Sequence, residues 1–231
     1  MTDAHTHILP CMDDGSKSVS MSAEMLRLLK RQGADTVFAT PHFYSDQDSP
    51  NDFLSRREKS VKKLSDLISG RFVPKIRLGA EVRWYSGMSR TSEIEELLIE
   101  GTRLLMVEMP FTDWKSYMIQ ELRELQSRGI NPILAHVDRY PCFRRKHMLT
   151  ELNEYGLYLQ VNASATENLF ASMKVKWMMK NRLFQFLGTD CHNMDDRSPN
   201  LESAVNKLRR ECGEQIWEDF VNLNDDLTGG E

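Results

Sequence analysis

The run Pro132-Ile133-Leu134-Ala135-His136-Val137 is apolar without alternation until it meets a histidine. A half-exposed strand alternates apolar and polar residues. A strand that does not alternate is covered on both faces, as in a parallel sheet packed between helices. Similar strand-like runs occur at residues 3–9, 36–40, 75–82, 104–109, 157–162 and 183–188. Between them lie helical stripes: Met118, Leu122 and Leu125 recur at i, i+4, i+7, and Leu201, Ala204, Val205 and Leu208 at i, i+3, i+4, i+7. Seven such alternations predict an α/β fold, a seven-stranded (β/α)7 barrel, in one domain spanning residues 1–231. An open doubly wound sheet is compatible with the same alternation.

The histidine that ends the opening run has counterparts at the other exits. His5 and His7 end the first strand, His42 follows the second, Glu81 closes the third and Glu108 the fourth. Asn162 closes the sixth, and Asp190 and His192 follow the seventh. In a parallel barrel all strand exits meet at the C-terminal face, so these scattered residues would form one cluster there. Residues i and i+2 of a strand project to the same side, so His5 and His7 can reach one cation. Glu81 and Glu108 stand in apolar strands, where a carboxylate is costly without a cation or partner. Asp13 and Asp14 are adjacent, and spacing does not decide which turns inward.

Imidazoles and carboxylates without thiolates suit manganese, iron or zinc, and the four cysteines are scattered with no Cys-x-x-Cys. Metal ions ~3.5–4 Å apart can share a bridging hydroxide and brace both oxygens of a displacement at phosphorus. A formal net charge of -4 argues against bulk electrostatic binding of nucleic acid. No apolar run approaches the ~20 residues of a membrane span and no signal-peptide pattern opens the chain, so a cytosolic location is expected, without membrane insertion.

The motifs His5-Thr6-His7 with Asp13-Asp14-Gly15, Ala39-Thr40-Pro41-His42, Gly79-Ala80-Glu81, Glu108, Ala135-His136-Val137-Asp138-Arg139-Tyr140 and Gly188-Thr189-Asp190-Cys191-His192-Asn193 resemble the polymerase and histidinol phosphatase (PHP) superfamily. More narrowly, they resemble its bacterial protein-tyrosine phosphatases of capsule and exopolysaccharide clusters. The resemblance implies a distorted TIM-like barrel holding three divalent metals, commonly manganese. His5, His7, Glu81 and Asp190 would hold the first, with Glu81 bridging to a second completed by Glu108 and His136, and Asp14, His42 and His192 would hold the third. Arg139 and Arg197, on loops three and five residues beyond His136 and His192, match arginines of the family and are the expected catalytic, phosphate-binding pair. The implied substrate is a phosphotyrosine-containing protein, the tail of a bacterial membrane-associated tyrosine kinase.

Rival readings make different demands. Histidinol phosphate phosphatases use the same cluster on a small phosphomonoester. An amidohydrolase also begins with His-x-His but needs a lysine or second bridging ligand, and a metal-retaining binding module would be inert. Cys191 and Arg197 have the Cys-x5-Arg spacing of thiol phosphatases, but the intervening residues include two acids and no glycine. The run Arg144-Arg145-Lys146-His147 is expected to be a solvated helix face, and the turn-rich stretches 44–52 and 85–92 to form loops over the site. The tail at Asn222–Asp226 lacks an Asn-Pro turn found in the family.

Overall fold

The computed structural model describes residues 1–229. The last two positions of the expected domain, Gly230 and Glu231, lie outside the described residues. Every strand pairing is parallel, and the strands form two sheets. One sheet orders β1 (Thr2–Thr6), β2 (Thr36–Ala39) and β4 (Lys75–Leu78). The other orders β3 (His42–Phe43), β5 (Glu81–Arg83), β6 (Leu104–Glu108), β7 (Asn131–Leu134), β8 (Tyr158–Asn162) and β9 (Phe186–Gly188). Helices α1 (Val19–Arg31), α2 (Pro50–Ile68), α3 (Ser116–Ser127), α4 (Lys146–Glu154), α5 (Leu169–Lys180), α6 (Leu201–Cys212) and α7 (Glu214–Thr228) complete an α/β fold with a curled parallel sheet.

The two faces of the strands part the core. Ala4, Phe38, Leu104, Met106, Ile133 and Phe186 fill an inner cluster, while Val37, Leu105, Val107, Leu134, Val161 and Leu187 pack in the larger cluster with the helices. The stripes Met118/Leu122/Leu125 and Leu201/Ala204/Leu208 are buried there, as their periodicity requires.

The expected strand boundaries need correction at several places. The run 75–82 is divided into β4 and β5, and 36–40 ends at Ala39 with a separate two-residue β3 beyond it. Ladder hydrogen bonds nevertheless cross the gaps: Gly79 donates its N–H to the Ala39 carbonyl at 2.9 Å and Glu81 to that of Pro41 at 3.0 Å. Proline offers no N–H to a ladder, so the break falls where Thr40-Pro41 stands. The first strand stops at Thr6, because one extra residue between Asp3 and Thr6 shifts its register against β2. Such a bulge re-aims the side chains beyond it. The last strand covers only Phe186–Gly188 of the expected 183–188.

The first and last strands meet. Asp190 donates its N–H to the His5 carbonyl at 2.8 Å and His7 to that of Cys191 at 3.0 Å. A Cβ on Gly188 would lie 2.6 Å from the His5 Cβ, so only glycine permits this approach. The buried Asp3 carboxylate spans the same seam, accepting from the Thr189 N–H at 2.8 Å and hydroxyl at 2.7 Å. The C-terminal tail is helical in α7, where the Asn224 amide donates to the Gln185 carbonyl at 3.2 Å.

Candidate metal centre

Backbone geometry at the strand exits turns the polar side chains toward one point. His136 and Asp190 adopt positive φ, 34° and 53°, which non-glycine residues rarely do. Such strain concentrates at functional sites, where the surrounding structure enforces it. Glu81 is the hub. Its Oε2 lies 3.3 Å from the Nε2 atoms of His5 and His7 and 2.9 Å from His42 Nδ1, and its Oε1 lies 2.8 Å from His136 Nε2. Asp190 Oδ1 approaches His7 Nε2 at 3.5 Å and His5 Nε2 at 3.9 Å, and Glu108 Oε1 approaches His136 at 3.7 Å. Asp14 Oδ1 is 3.3 Å from His192 Nε2 and 3.5 Å from His42 Nε2. His42 therefore faces two of the expected positions, one through each ring nitrogen.

Second partners fix the tautomers. His5 Nδ1 faces Gln160 Oε1 at 3.1 Å, His7 Nδ1 faces Asp13 Oδ2 at 2.7 Å, and His192 Nδ1 faces the Asp190 carbonyl at 2.9 Å. Each Nδ1 keeps a proton for its acceptor, so Nε2 is the nitrogen whose lone pair each ring can offer to a cation at the centre. The adjacent aspartates thus divide the work. Asp13 turns to His7 and also accepts the backbone N–H groups of Gly15 and His42, both at 2.9 Å, while Asp14 faces the cluster. Gly15 must be glycine, since its Cβ would stand 2.4 Å from the His7 carbonyl. Gln160 and Asn162 extend the support, with the Gln160 amide donating to Asn162 Oδ1 at 2.9 Å and the Asn162 amide to Asp190 Oδ2 at 3.2 Å. The sequence reading missed Asp13 as a support and Gln160 altogether, although a glutamine in the strand Tyr158–Asn162 was its signal.

The donor set fits bound cations. Three groups have ligand atoms that all lie within 4.8 Å of one another: His7, Asp14, His42 and His192; His5, His7 and Glu81; and His42, Glu81 and Glu108. Among the described residues, five of the seven buried polar side-chain atoms without a hydrogen bond belong to His42, Glu81, Glu108, His136 and His192. Each such atom costs about 1–3 kcal/mol unless something satisfies it. His42 Nδ1 and Glu81 Oε2 are 2.9 Å apart yet make no aligned hydrogen bond, as expected of two donors aimed at a third atom. Arg139 and Arg197 both reach Asp190, at 2.6 Å to Oδ2 and 2.9 Å to Oδ1, and Arg197 lies 3.7 Å from Asp14.

Protonation follows from burial and charge. Burial opposes a charged imidazole at His7, but the Asp13 carboxylate and its hydrogen bond outweigh it and push the group up to about 10. At His5 burial acts the same way and is outweighed by Glu81 and Asp190, so it too is raised. Burial, with the neighbouring cationic His7, holds His192 down to about 3. Burial would raise Glu81, but the charge of His5 and the hydrogen bond with His136, with the other imidazoles close by, hold it well below the usual carboxylate range. The stability that protonated His7 contributes to the metal-free protein is complete below its ordinary 6.5 and lost as pH rises through about 10. A ligand histidine must release that proton to a cation. Apparent metal affinity should therefore rise with pH up to about 10, about tenfold per pH unit for each displaced proton. Metal titrations at several pH values check this, and a flat profile would contradict it.

The surroundings of Cys191 do not suit a nucleophile. It is fully buried, and burial together with the nearby Asp3 carboxylate drives its thiol well above the ordinary value. The C191S variant should keep turnover within about twofold, since no thiolate is available to lose. A phosphatase assay on metal-replete variant protein decides it. The basic run at residues 144–147 is exposed, as expected of a solvated face. The stretch 85–92 is fastened to α3, where the Glu121 carboxylate accepts from Gly87 and Ser89 N–H groups at 3.2 and 3.0 Å. No helix among the described residues is long and apolar enough to cross a membrane.

A family model described as capsular polysaccharide synthesis, CpsB/CapC, matches residues 1–227. The chain is 28% identical over 226 residues to tyrosine-protein phosphatase YwqE of Bacillus subtilis, covering 94% of this chain and 87% of that protein. A solved structure from work on YwqE of Bacillus subtilis and CpsB of Streptococcus pneumoniae, there called metal-dependent tyrosine phosphatases, superposes with a TM-score of 0.86 at 26% identity, covering 100% of this chain and 95% of that one. The histidinol phosphate phosphatase of Lactococcus lactis shares the fold, with a TM-score of 0.57 at 15% identity over 92% of this chain and 93% of the other.

Proposed function

The chain belongs to the capsular polysaccharide synthesis CpsB/CapC family, and from that premise and the geometry of the centre we propose that it is a metal-dependent protein-tyrosine phosphatase acting in capsule or exopolysaccharide biosynthesis. The observation that carries the reading is the convergence of His5, His7, Asp14, His42, Glu81, Glu108, His136, Asp190 and His192, with buried atoms of His42, Glu81, Glu108 and His192 left unpaired among them. Three divalent ions, manganese first, with iron or zinc as substitutes, suit this set. His5, His7, Glu81 and Asp190 would hold one, Glu81, Glu108 and His136 a second, and Asp14, His42 and His192 a third. When bound, the ions supply Lewis acidity and the nucleophile for displacement at phosphorus.

The chain's own residues supply orientation and charge. Asp13, Gln160 and the Asp190 carbonyl hold three imidazoles in the tautomer that presents Nε2. Arg139 and Arg197 are anchored on Asp190, and each carries further N–H groups that can hold phosphoryl oxygens. A tyrosine leaving group, with a pKa near ~10, departs with less help from an acid than a serine alkoxide does. The substrate would be a phosphotyrosine-bearing protein, such as the tail of a bacterial tyrosine kinase, met in the cytoplasm. We also read the two sheets as one distorted seven-stranded (β/α)7 barrel in a single domain. In support, the β2–β4 register continues into β3–β5, and β1 meets β9 at Thr6 and Cys191.

Elemental analysis beside hydrolysis of p-nitrophenyl phosphate, a phosphotyrosine peptide and histidinol phosphate tests the reading. Turnover of the peptide by metal-containing protein is expected. Preference for histidinol phosphate, or bound metal without phosphoester hydrolysis, would overturn it.

A further inference from the structure

Against the metal cluster lies a cleft of about 390 Å³ lined by Phe111, Arg139, Tyr140, Pro141, Arg144 and Arg145, among others. Its inner wall is shared with the centre. Arg139 reaches Asp190, and the Phe111 ring lies nearly parallel to the His136 imidazole, centroids 5.7 Å apart and planes at 13°. Tyr140 backs Phe111 at 5.5 Å. Tyr140 is itself fixed, since its hydroxyl accepts the Met109 N–H at 2.8 Å and Trp114 packs on it edge-on at 5.0 Å. Phe111 is thus supported from behind, yet it remains 49% exposed. Tyr44 also stacks on a cluster histidine, His42, but the Arg83 guanidinium already covers its ring. Phe111 thus keeps about half of its surface open to a ligand at this rim.

The cleft therefore joins an open phenyl surface to three guanidinium groups, of which Arg139 is anchored on Asp190 and Arg145 lies 3.4 Å from Asp113, against the single carboxylate of Asp138 in the same lining, a net positive pairing that suits a ligand both aromatic and anionic. An aryl phosphate carries its ring one ester oxygen from phosphorus, so with the phosphoryl group held at the cluster that ring would come within reach of Phe111, which stacks on the cluster residue His136. An alkyl phosphate places only a methylene there. We propose that this cleft is an aryl subsite of the metal centre and that Phe111 is its specificity-determining residue, holding the phenyl ring of an aryl phosphate by offset stacking. The proposal rests on the phosphoesterase reading for where the phosphoryl group sits.

Benzylphosphonate and ethylphosphonate keep the two geometries and resist hydrolysis, so calorimetry on zinc-loaded protein reads the subsite without turnover. Wild-type protein should bind benzylphosphonate roughly tenfold more tightly than ethylphosphonate. F111L should lose most of that preference with ethylphosphonate affinity and metal content unchanged, and F111Y should restore it. An independent measurement needs no variant: a nuclear Overhauser contact is expected between the ligand's ring protons and an isotope-labelled Phe111 ring. Equal affinities in the wild type, an equal loss for both ligands in metal-replete F111L, or bound benzylphosphonate without the ring contact overturns the subsite. Failure of the phosphoesterase reading shows separately, as wild-type protein that does not hydrolyse a phosphotyrosine peptide.

Discussion

Replacing Glu81 with glutamine is expected to lower phosphotyrosine turnover on the order of 10³-fold or more and to reduce bound metal, with the secondary structure retained. Glutamine keeps the volume and removes the charge at the one side chain that touches His5, His7, His42 and His136 together. The carboxylate is almost fully buried, so water cannot substitute for it. Without it, cations expected at the first and second positions lose their shared ligand, and the imidazoles gathered around it lose the anion that offsets them. Kinetics, elemental analysis and circular dichroism on the same preparation check this. Glutamine protein with full metal content and near-normal turnover would remove Glu81 from the centre.

Chelation should have an effect of similar size on activity and a second effect on stability. Each ion held at about a hundredfold above its Kd stabilises the folded state by about 2.7 kcal/mol. For a chain of this length that corresponds to roughly 5–10 °C in Tm. Stripping the metals should therefore abolish turnover and lower Tm by at least that much, and manganese, iron or zinc added back singly should rank the ions by recovery. The loss of Tm has a structural origin, because the unpaired atoms of Glu81, Glu108, His42 and His192 are buried and cannot turn to solvent. Chelated protein that melts and turns over as before would show that no ion occupies the cluster.

The parallel α/β architecture was legible because apolar strands such as Ile133-Leu134-Ala135 cannot face water, and the convergence of His5, Glu81, His136 and Asp190 because each stands at a strand exit. Side-chain direction was less legible. Asp13 and Asp14 differ in role only because one meets His7 Nδ1 and the other His192 Nε2, a choice made by the turn at Gly15. The breaks between β2 and β3 and between β4 and β5 escaped the periodicity because the hydrogen-bond register runs on through them. Arg139 and Arg197 were placed near the face by loop length, but their shared anchor on Asp190, itself at positive φ, exists only in three dimensions. Phe111 gave no sequence signal at all, since its importance lies in which rings stand behind it.

The seam at Gly188 has a consequence for mechanical coupling. Because His5 and Asp190 are joined there by backbone as well as by side chains, any parting of the first and last strands would pull those two side chains away from one another, so the integrity of the cluster and the closure of the sheet stand or fall together.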